Sequence, residues 1–324
     1  MSRRPQSLAA LVVAMLVLAG AAISEAVEAQ TFPARPLRFM VGFAPGGSTD
    51  IFARLVGHTI ERPLGQTVII ENRPGAAGSI AANAVVRADP DGYTYFFGNV
   101  TLLAPFFIKN GSVLGGKDLA PVAGVVMSPW LLFVRADLPV KSLADLIAYA
   151  KANPGKLNFG SPSPSNDLAM QMLKVKTGVS YVGVSYKGAG PVAAALLAGE
   201  IDMSLDSLPS YLPYLQAGKF RALFIAPVRS PLVPGLPSAD EAGIANFDVA
   251  LPLTVWAPNG TPAAAVQRVS AEVGRAVASP EVVEQIHKAG AEPHHATPEE
   301  LLRGYNAETK FWSEAAKTAN YEAQ

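Results

Sequence analysis

Four times along this chain, an apolar run of strand character ends in a Gly- or Ser-rich turn and gives way to helical periodicity. The turns lie at 45–50, 74–79, 161–167 and 187–191. Strands that alternate with helices in this way build parallel sheets covered by helices on both faces. Such sheets place their ligands at the carboxyl edges of the strands. The first unit shows the logic most clearly. Residues 37–43 are mostly apolar, as a strand buried on both faces requires. Pro45-Gly46-Gly47 breaks the run, and Ser48, Thr49 or Asp50 is expected to cap the helix that follows. Ile51, Leu55, Val56 and Ile60 recur at helical spacing. The turn leaves backbone N–H groups where the helix dipole is positive, so the site favours an anion. Gly46 and Gly47 carry no Cβ, so a guest can approach the main chain. The same turn is equally what a ligand-free strand-to-helix connection looks like.

The second unit couples the strand 66–72 to an Ala-rich helix over 80–88. The third couples the strand 157–160 to a helix from Leu168, and the fourth couples the strand 182–186 to a helix opening at Pro191. Two more strands are expected, at 121–127 and 130–134. Thr101 lies at the exit of the aromatic strand 93–98, and 105–120 reads as a surface loop. Thr261-Pro262, Ser279-Pro280 and Thr297-Pro298 each read as an N-cap followed by proline in the first turn, so the C-terminal part is expected to be mainly helical. Two facing sheets would aim several helix N-termini into one cleft.

With 324 residues, of which 50% are hydrophobic and 16% charged, the chain can bury a large core, more naturally in two lobes than in one. Lys plus Arg equals Asp plus Glu, 26 each, so no net field attracts nucleic acid, and no nucleic-acid partner is expected. Arg3-Arg4, the apolar run Leu8–Ala22 and the small exit residue Ala29 form the pattern of a signal peptide over 1–29, cut after Ala29 or at nearby Ala26. Ser2-Arg3-Arg4 loosely resembles a twin-arginine signal. The absence of cysteine excludes thiolate metal sites and cysteine nucleophiles. His58, His287, His294 and His295 read as residues on or beside helices with no ligating partner spacing, so no metal and no cofactor are expected. No Gly-x-Ser-x-Gly elbow is present, and no histidine is offered to a cleft serine, which argues against a secreted hydrolase.

Phe43-Ala44-Pro45-Gly46-Gly47-Ser48-Thr49-Asp50, Glu71-Asn72-Arg73-Pro74-Gly75-Ala76-Ala77-Gly78 and Ala88-Asp89-Pro90-Asp91-Gly92-Tyr93-Thr94 occur in order. Tyr186-Lys187-Gly188, Trp256-Ala257-Pro258-Asn259-Gly260-Thr261-Pro262 and Thr297-Pro298-Glu299-Glu300 follow. In these motifs the mature chain resembles, over essentially its whole length, the tripartite tricarboxylate transporter substrate-binding proteins, or Bug-type periplasmic receptors. The resemblance implies an α/β fold of the two-lobed, type II-like periplasmic binding protein kind, each lobe a mostly parallel sheet flanked by helices, with the ligand cleft between lobes. It implies lobe 1 from 30–127 plus 253–324 and lobe 2 from 128–252, joined by two crossing segments. It implies a monomeric, non-enzymatic periplasmic protein that hands a small carboxylate (a di- or tricarboxylate, an amino acid or an aromatic acid) to membrane transporter subunits, or alternatively presents it to a sensor protein. The implied ligand-binding positions are Phe43, Pro45, Gly46, Gly47 and Asp50 in the first turn, with Thr101 at a strand exit. In the second lobe they are Ser161, Ser163, Ser165, Lys187, Gly188, Ala189 and Asp206. Taken singly, Asp50 reads rather as a turn brace, Lys187 equally as a solvated lysine, and Asp206 either as a brace or as an acceptor for a ligand amine. The turn after Gly160 carries Pro162 and Pro164 where the family usually has a longer Gly/Ser segment. Leu102–Phe107 is more apolar than usual, which suggests a ligand with an apolar or aromatic body.

Overall fold

Strand β4, Leu119–Arg135, is the axis of the molecule. In the computed structural model, which describes residues 32–108, 112–227 and 229–322, its 17 residues belong to two sheets in succession. Leu119–Pro129 pairs with β9, Ala250–Pro258, and Gly124–Met127 also pairs with β10, Glu292–Ala296. From Trp130 onward β4 pairs instead with β7, Met203–Ser207, and β8, Phe220–Ala226. The sequence pattern suggests two strands here, 121–127 and 130–134, with Ser128-Pro129 between them. The strand is nevertheless continuous, and its register against β9 shifts between Pro121 and Ala123 and again between Gly124 and Val126. The first of these shifts lies at Pro121, which cannot donate to a regular ladder.

The first sheet adds β1, Leu37–Val41, between β2, Val68–Asn72, and β3, Thr94–Gly98, with both pairings parallel. β3 then pairs antiparallel with β9. The second sheet adds β5, Asn158–Ser161, parallel to both β7 and the edge strand β6, Val182–Ser185. The parallel strands are thus the ones fed by strand–turn–helix units, and the crossing strands run antiparallel to their neighbours. All four residues of this edge strand are exposed, so neither of its faces is covered.

The helices are α1 (Ser48–Leu64), α2 (Ser79–Val86), α3 (Leu143–Ala152), α4 (Pro164–Thr177), α5 (Ala189–Ala198), α6 (Leu212–Gln216), α7 (Ala263–Ala278), α8 (Pro280–Ala289) and α9 (Pro298–Thr318). Several ends depart from the pattern reading. α1 has Gly47, not Ser48, Thr49 or Asp50, as N-cap. α4 starts at Pro164 with Ser163 as N-cap, four residues before Leu168, so the third turn is only a short link from β5. Pro191 is the third residue of α5, still within the first turn where its missing N–H costs nothing. α7 begins after Pro262, while Thr261 Oγ donates 2.8 Å to the Pro258 carbonyl instead of capping. Ser279 and Thr297 do cap their helices, Thr297 with a full capping box to Glu300. The C-terminal part also contains a strand, β10, in which His294 and His295 lie. Its polar composition hides it from a propensity argument. Within 105–120, Phe107, Ile108 and Val113 are buried, so that segment belongs partly to the core.

The described residues from Arg35 onward form one compact unit. The signal-peptide reading falls on residues outside the described ones. No helix among the described residues is long and apolar enough to cross a membrane.

Candidate functional site

Three of the four strand–turn–helix units, those with turns at 45–50, 161–167 and 187–191, converge where the two sheets face each other, while the turn at 74–79 does not reach this space. Phe43, Gly47, Ser48, Thr49 and Leu102 come from the first sheet's turns, and Ser163, Asn166, Gly188, Ala189 and Asp206 from the second's. Trp130 and Leu251 reach the space from the two crossing strands. The register sets this, since Ser128 pairs with Leu251 and Trp130 lies two residues further along β4, so all three side chains share one face.

Three helices begin at this space. Their N-caps, Gly47 for α1, Ser163 for α4 and Gly188 for α5, make no side-chain cap hydrogen bond. Elsewhere, Ser142, Ser279 and Thr297 cap α3, α8 and α9 with their side chains, whereas Gly78, Tyr211 and Pro262 at the starts of α2, α6 and α7 do not. A helix start without a side-chain cap leaves N–H groups to another acceptor. Gly188 has φ +119, which an L side chain adopts only with strain, so glycine is required there for the chain to present Ala189 across the cleft.

No lysine, arginine or histidine lines the space. Positive potential there comes from backbone amides and helix dipoles alone. The single charged side chain is Asp206, which is 4% exposed. Its Oδ1 accepts from the Ser207 amide at 2.7 Å, while Oδ2 has no partner. Burial is the main influence on this carboxyl and pushes its pKa up to about 6, against the opposing hydrogen bonds. Trp130 Nε1 and Ser128 Oγ are likewise buried without a partner. Buried polar atoms in native proteins are nearly always satisfied, so three such atoms around one site mark it as built for polar company.

The two sides touch. Ser48 N donates to Ser210 Oγ at 2.9 Å, and the Ser48 hydroxyl lies 2.6 Å from that of Ser207 and 3.0 Å from that of Ser210. The Ala44 amide donates to the Lys187 carbonyl at 3.3 Å. The space left between them is about 40 Å³, and these contacts hold the lobes together.

Of the positions expected from sequence, Phe43, Gly47, Ser163, Gly188, Ala189 and Asp206 line the space. Pro45 and Gly46 are exposed on the outer rim of the turn. Asp50 is a brace. It accepts from the Gly46 amide, from Arg54 and from Asn72, which in turn holds the Phe43 carbonyl. Burial would raise its pKa, but Arg54, Gly46 and Asn72 outweigh that and lower it. Thr101 points away from the cleft and donates to Glu308 on α9 at 2.9 Å. Ser161 donates to the Ser163 carbonyl, and Ser165 meets the Ser163 hydroxyl, so both shape the turn from behind. The Lys187 side chain is exposed, and the residue enters the interlobe contact only through its carbonyl. The sequence reading missed Ser48, Thr49, Ser207 and Ser210, although the first two directly follow the glycine pair and therefore occupy the helix start. It also missed Trp130, Leu251 and Asn166, which only tertiary pairing brings in.

The chain matches the family model described as tripartite tricarboxylate transporter family receptor over residues 52–319. It is 34% identical over 314 residues to the protein BugT of Bordetella pertussis, covering 94% of this chain and 95% of that one. Among solved structures, Rpa4515 of R. palustris with adipate superposes with a TM-score of 0.87 at 33% identity, covering 90% of this chain and all of that one. MatC of Rhodopseudomonas palustris with bound malate superposes with a TM-score of 0.81 at 32% identity, covering 88% and 99%. The chain therefore belongs to the tripartite tricarboxylate transporter receptor family.

Proposed function

We propose that this protein is a periplasmic receptor that closes two lobes over a small carboxylate and delivers it to the membrane subunits of a tripartite tricarboxylate-type transporter. The convergence of three helix N-termini on a space without a cationic side chain carries this reading. Such a site holds negative oxygens by directed amides and not by a counter-charge, and so selects for the position of a carboxylate. Charge-assisted hydrogen bonds contribute about 1.5–3 kcal/mol each. Three or four approach the roughly 8 kcal/mol of micromolar affinity. The adipate and malate in the two related structures support the same ligand class. Leu102, Trp130 and Leu251 supply an apolar wall for the carbon skeleton.

The lobes of this reading are 30–127 with 253–324, and 128–252, with export directed by residues 1–29. The partner exchange of β4 between Met127 and Trp130 fits that boundary. Because the closed space is small, the guest enters while the lobes are apart and is enclosed as Ser48 reaches Ser207 and Ser210. Closure then removes water from around the amides and strengthens each bond.

A thermal-shift screen over mono-, di- and tricarboxylates, amino acids and aromatic acids tests the reading. A ligand at 100 times its Kd stabilises by about 2.7 kcal/mol, which a melting curve resolves. At least one carboxylate is expected to raise Tm, and its uptake is expected to fall in cells lacking this protein. No stabilisation by any of them would overturn the assignment.

A further inference from the structure

Behind the crossing strands lies a second, larger cavity of about 330 Å³, within the size range of small-molecule sites. β4 and β9 separate it from the cleft. Met127, Ala250 and Pro252 face the cavity, whereas Trp130 and Leu251 face the cleft. The C-terminal helix α9 closes the other side. Two edge-to-face aromatic pairs line it, Trp256 with Tyr305 at 5.5 Å between centroids and Phe311 with Trp312 at 5.1 Å.

The acidic and basic residues of the wall are Glu308, which is half-buried, and Asp248, His294 and Glu300, which are exposed, and no lysine or arginine is among them. Burial lowers the pKa of His294, the neighbouring His295 adding to this against Glu300, so the imidazole is neutral near pH 7. The amide and hydroxyl of Thr297 hold the Glu300 carboxyl below its usual range, so it stays ionised. Glu308 accepts from Asn99 Nδ2 at 2.7 Å and from Thr101 Oγ at 2.9 Å. Burial raises its pKa against the hydrogen bonds from Asn99, Thr101 and Trp312, so an incoming cation would favour the ionised form. Among the described residues Glu308 takes part in no ion pair. A carboxylate taken out of water with no counter-charge is costly, and aromatic faces attract cations. The charge and the rings of the wall thus complement the same guest, opposite in sign to that of the cleft.

We propose that this cavity is a second ligand site, distinct from the carboxylate cleft, for a small organic ammonium ion with an aromatic or aliphatic body. Glu308 takes the ammonium group, and the Trp256–Tyr305 and Phe311–Trp312 pairs take the body. The site does not depend on what the cleft binds.

The test is calorimetric and fluorescence titration of the full protein with 2-phenylethylammonium, 2-phenylethanol and 3-phenylpropionate. Trp256 and Trp312 are two of the three tryptophans, so binding here also reports through their emission. The ammonium ion is expected to bind saturably, at least about ten-fold tighter than the alcohol, the step a charge-assisted bond supplies. Glu308→Gln is expected to remove that preference. Gly304→Leu serves as a second variant, because an added Cβ at Gly304 meets nothing within 4 Å and the fold is retained while the cavity is filled. It is expected to abolish ammonium binding and to leave the stabilisation by carboxylates unchanged. Equal binding of ammonium and alcohol, undiminished binding in folded Glu308→Gln or Gly304→Leu protein, or no binding of the ammonium ion at all would each overturn the proposal.

Discussion

Gly190→Ala separates lobe closure from lobe stability. Gly190 is the second residue of α5, where alanine is the better helix former by up to about 1 kcal/mol. Nothing within its own lobe obstructs a side chain. A Cβ built there meets the Pro45 carbonyl oxygen at 2.9 Å, then Gly46 C at 3.8 Å and Gly47 N at 3.9 Å, all on the facing turn of the other sheet. A carbon–oxygen contact that short is repulsive, and the obstacle is backbone, so the two turns must separate by a few tenths of an ångström. Overpacking of this kind costs about 1–3 kcal/mol, and every 1.4 kcal/mol is about ten-fold in affinity. The closed form alone bears the cost, so the carboxylate that stabilises the wild type most should bind Gly190→Ala about 5- to 150-fold more weakly. Without ligand the variant's Tm should fall only as far as the closed contacts contribute to it. Titration calorimetry gives the first quantity and a melting curve the second. Wild-type affinity in Gly190→Ala would refute the claim that binding requires the two turns to approach as they do here.

Three further outcomes follow from particular contacts. Gly42→Ala places a Cβ 2.6 Å from Gly78 Cα, backbone against backbone, so it should lower stability by about 1–3 kcal/mol, and an unchanged Tm would show that the two turns are not closely packed. Ser48→Ala removes the hydroxyl contacts to Ser207 and Ser210 that bridge the lobes and should weaken carboxylate binding about 3- to 10-fold at little cost in Tm, to be measured by calorimetry. Asp206 has a folded pKa raised from 3.8 to about 6, so it favours folding below pH 4 and that contribution, about 3 kcal/mol, is lost as pH rises through 6. Asp206→Asn should therefore flatten the stability profile between pH 4 and 6. Because a guest carboxylate disfavours ionised Asp206, wild-type affinity should also fall from pH 5 to pH 8, and an affinity independent of pH in that range would contradict the placement of Asp206 beside the guest.

The sequence made the turns legible because each is local. Gly47, Ser163, Gly188 and Ala189 are fixed by the change from strand to helix within a few residues. Their convergence is not local, and it follows from β4 carrying the chain from one sheet to the other. Ser128-Pro129 disguised that strand as two. β10, with Glu292, Pro293 and two histidines, has no strand periodicity of its own and is held by pairing with β4. Trp130 and Leu251 enter the site only through the β4–β9 register, so no one-dimensional pattern marks them. Thr101 illustrates the opposite failure. Its position at a strand exit is right for a cleft residue, but Glu308, 207 positions away, turns it to the other side.

Amide chemical-shift mapping during titration with malate, adipate and the best ligand of the screen tests the central claim most directly. The account predicts that the largest perturbations fall on the N–H groups at the starts of α1, α4 and α5, at Gly47 to Thr49, at Ser165 and Asn166, and at Gly188 and Ala189. Binding that leaves those amides unmoved while shifting others would contradict it.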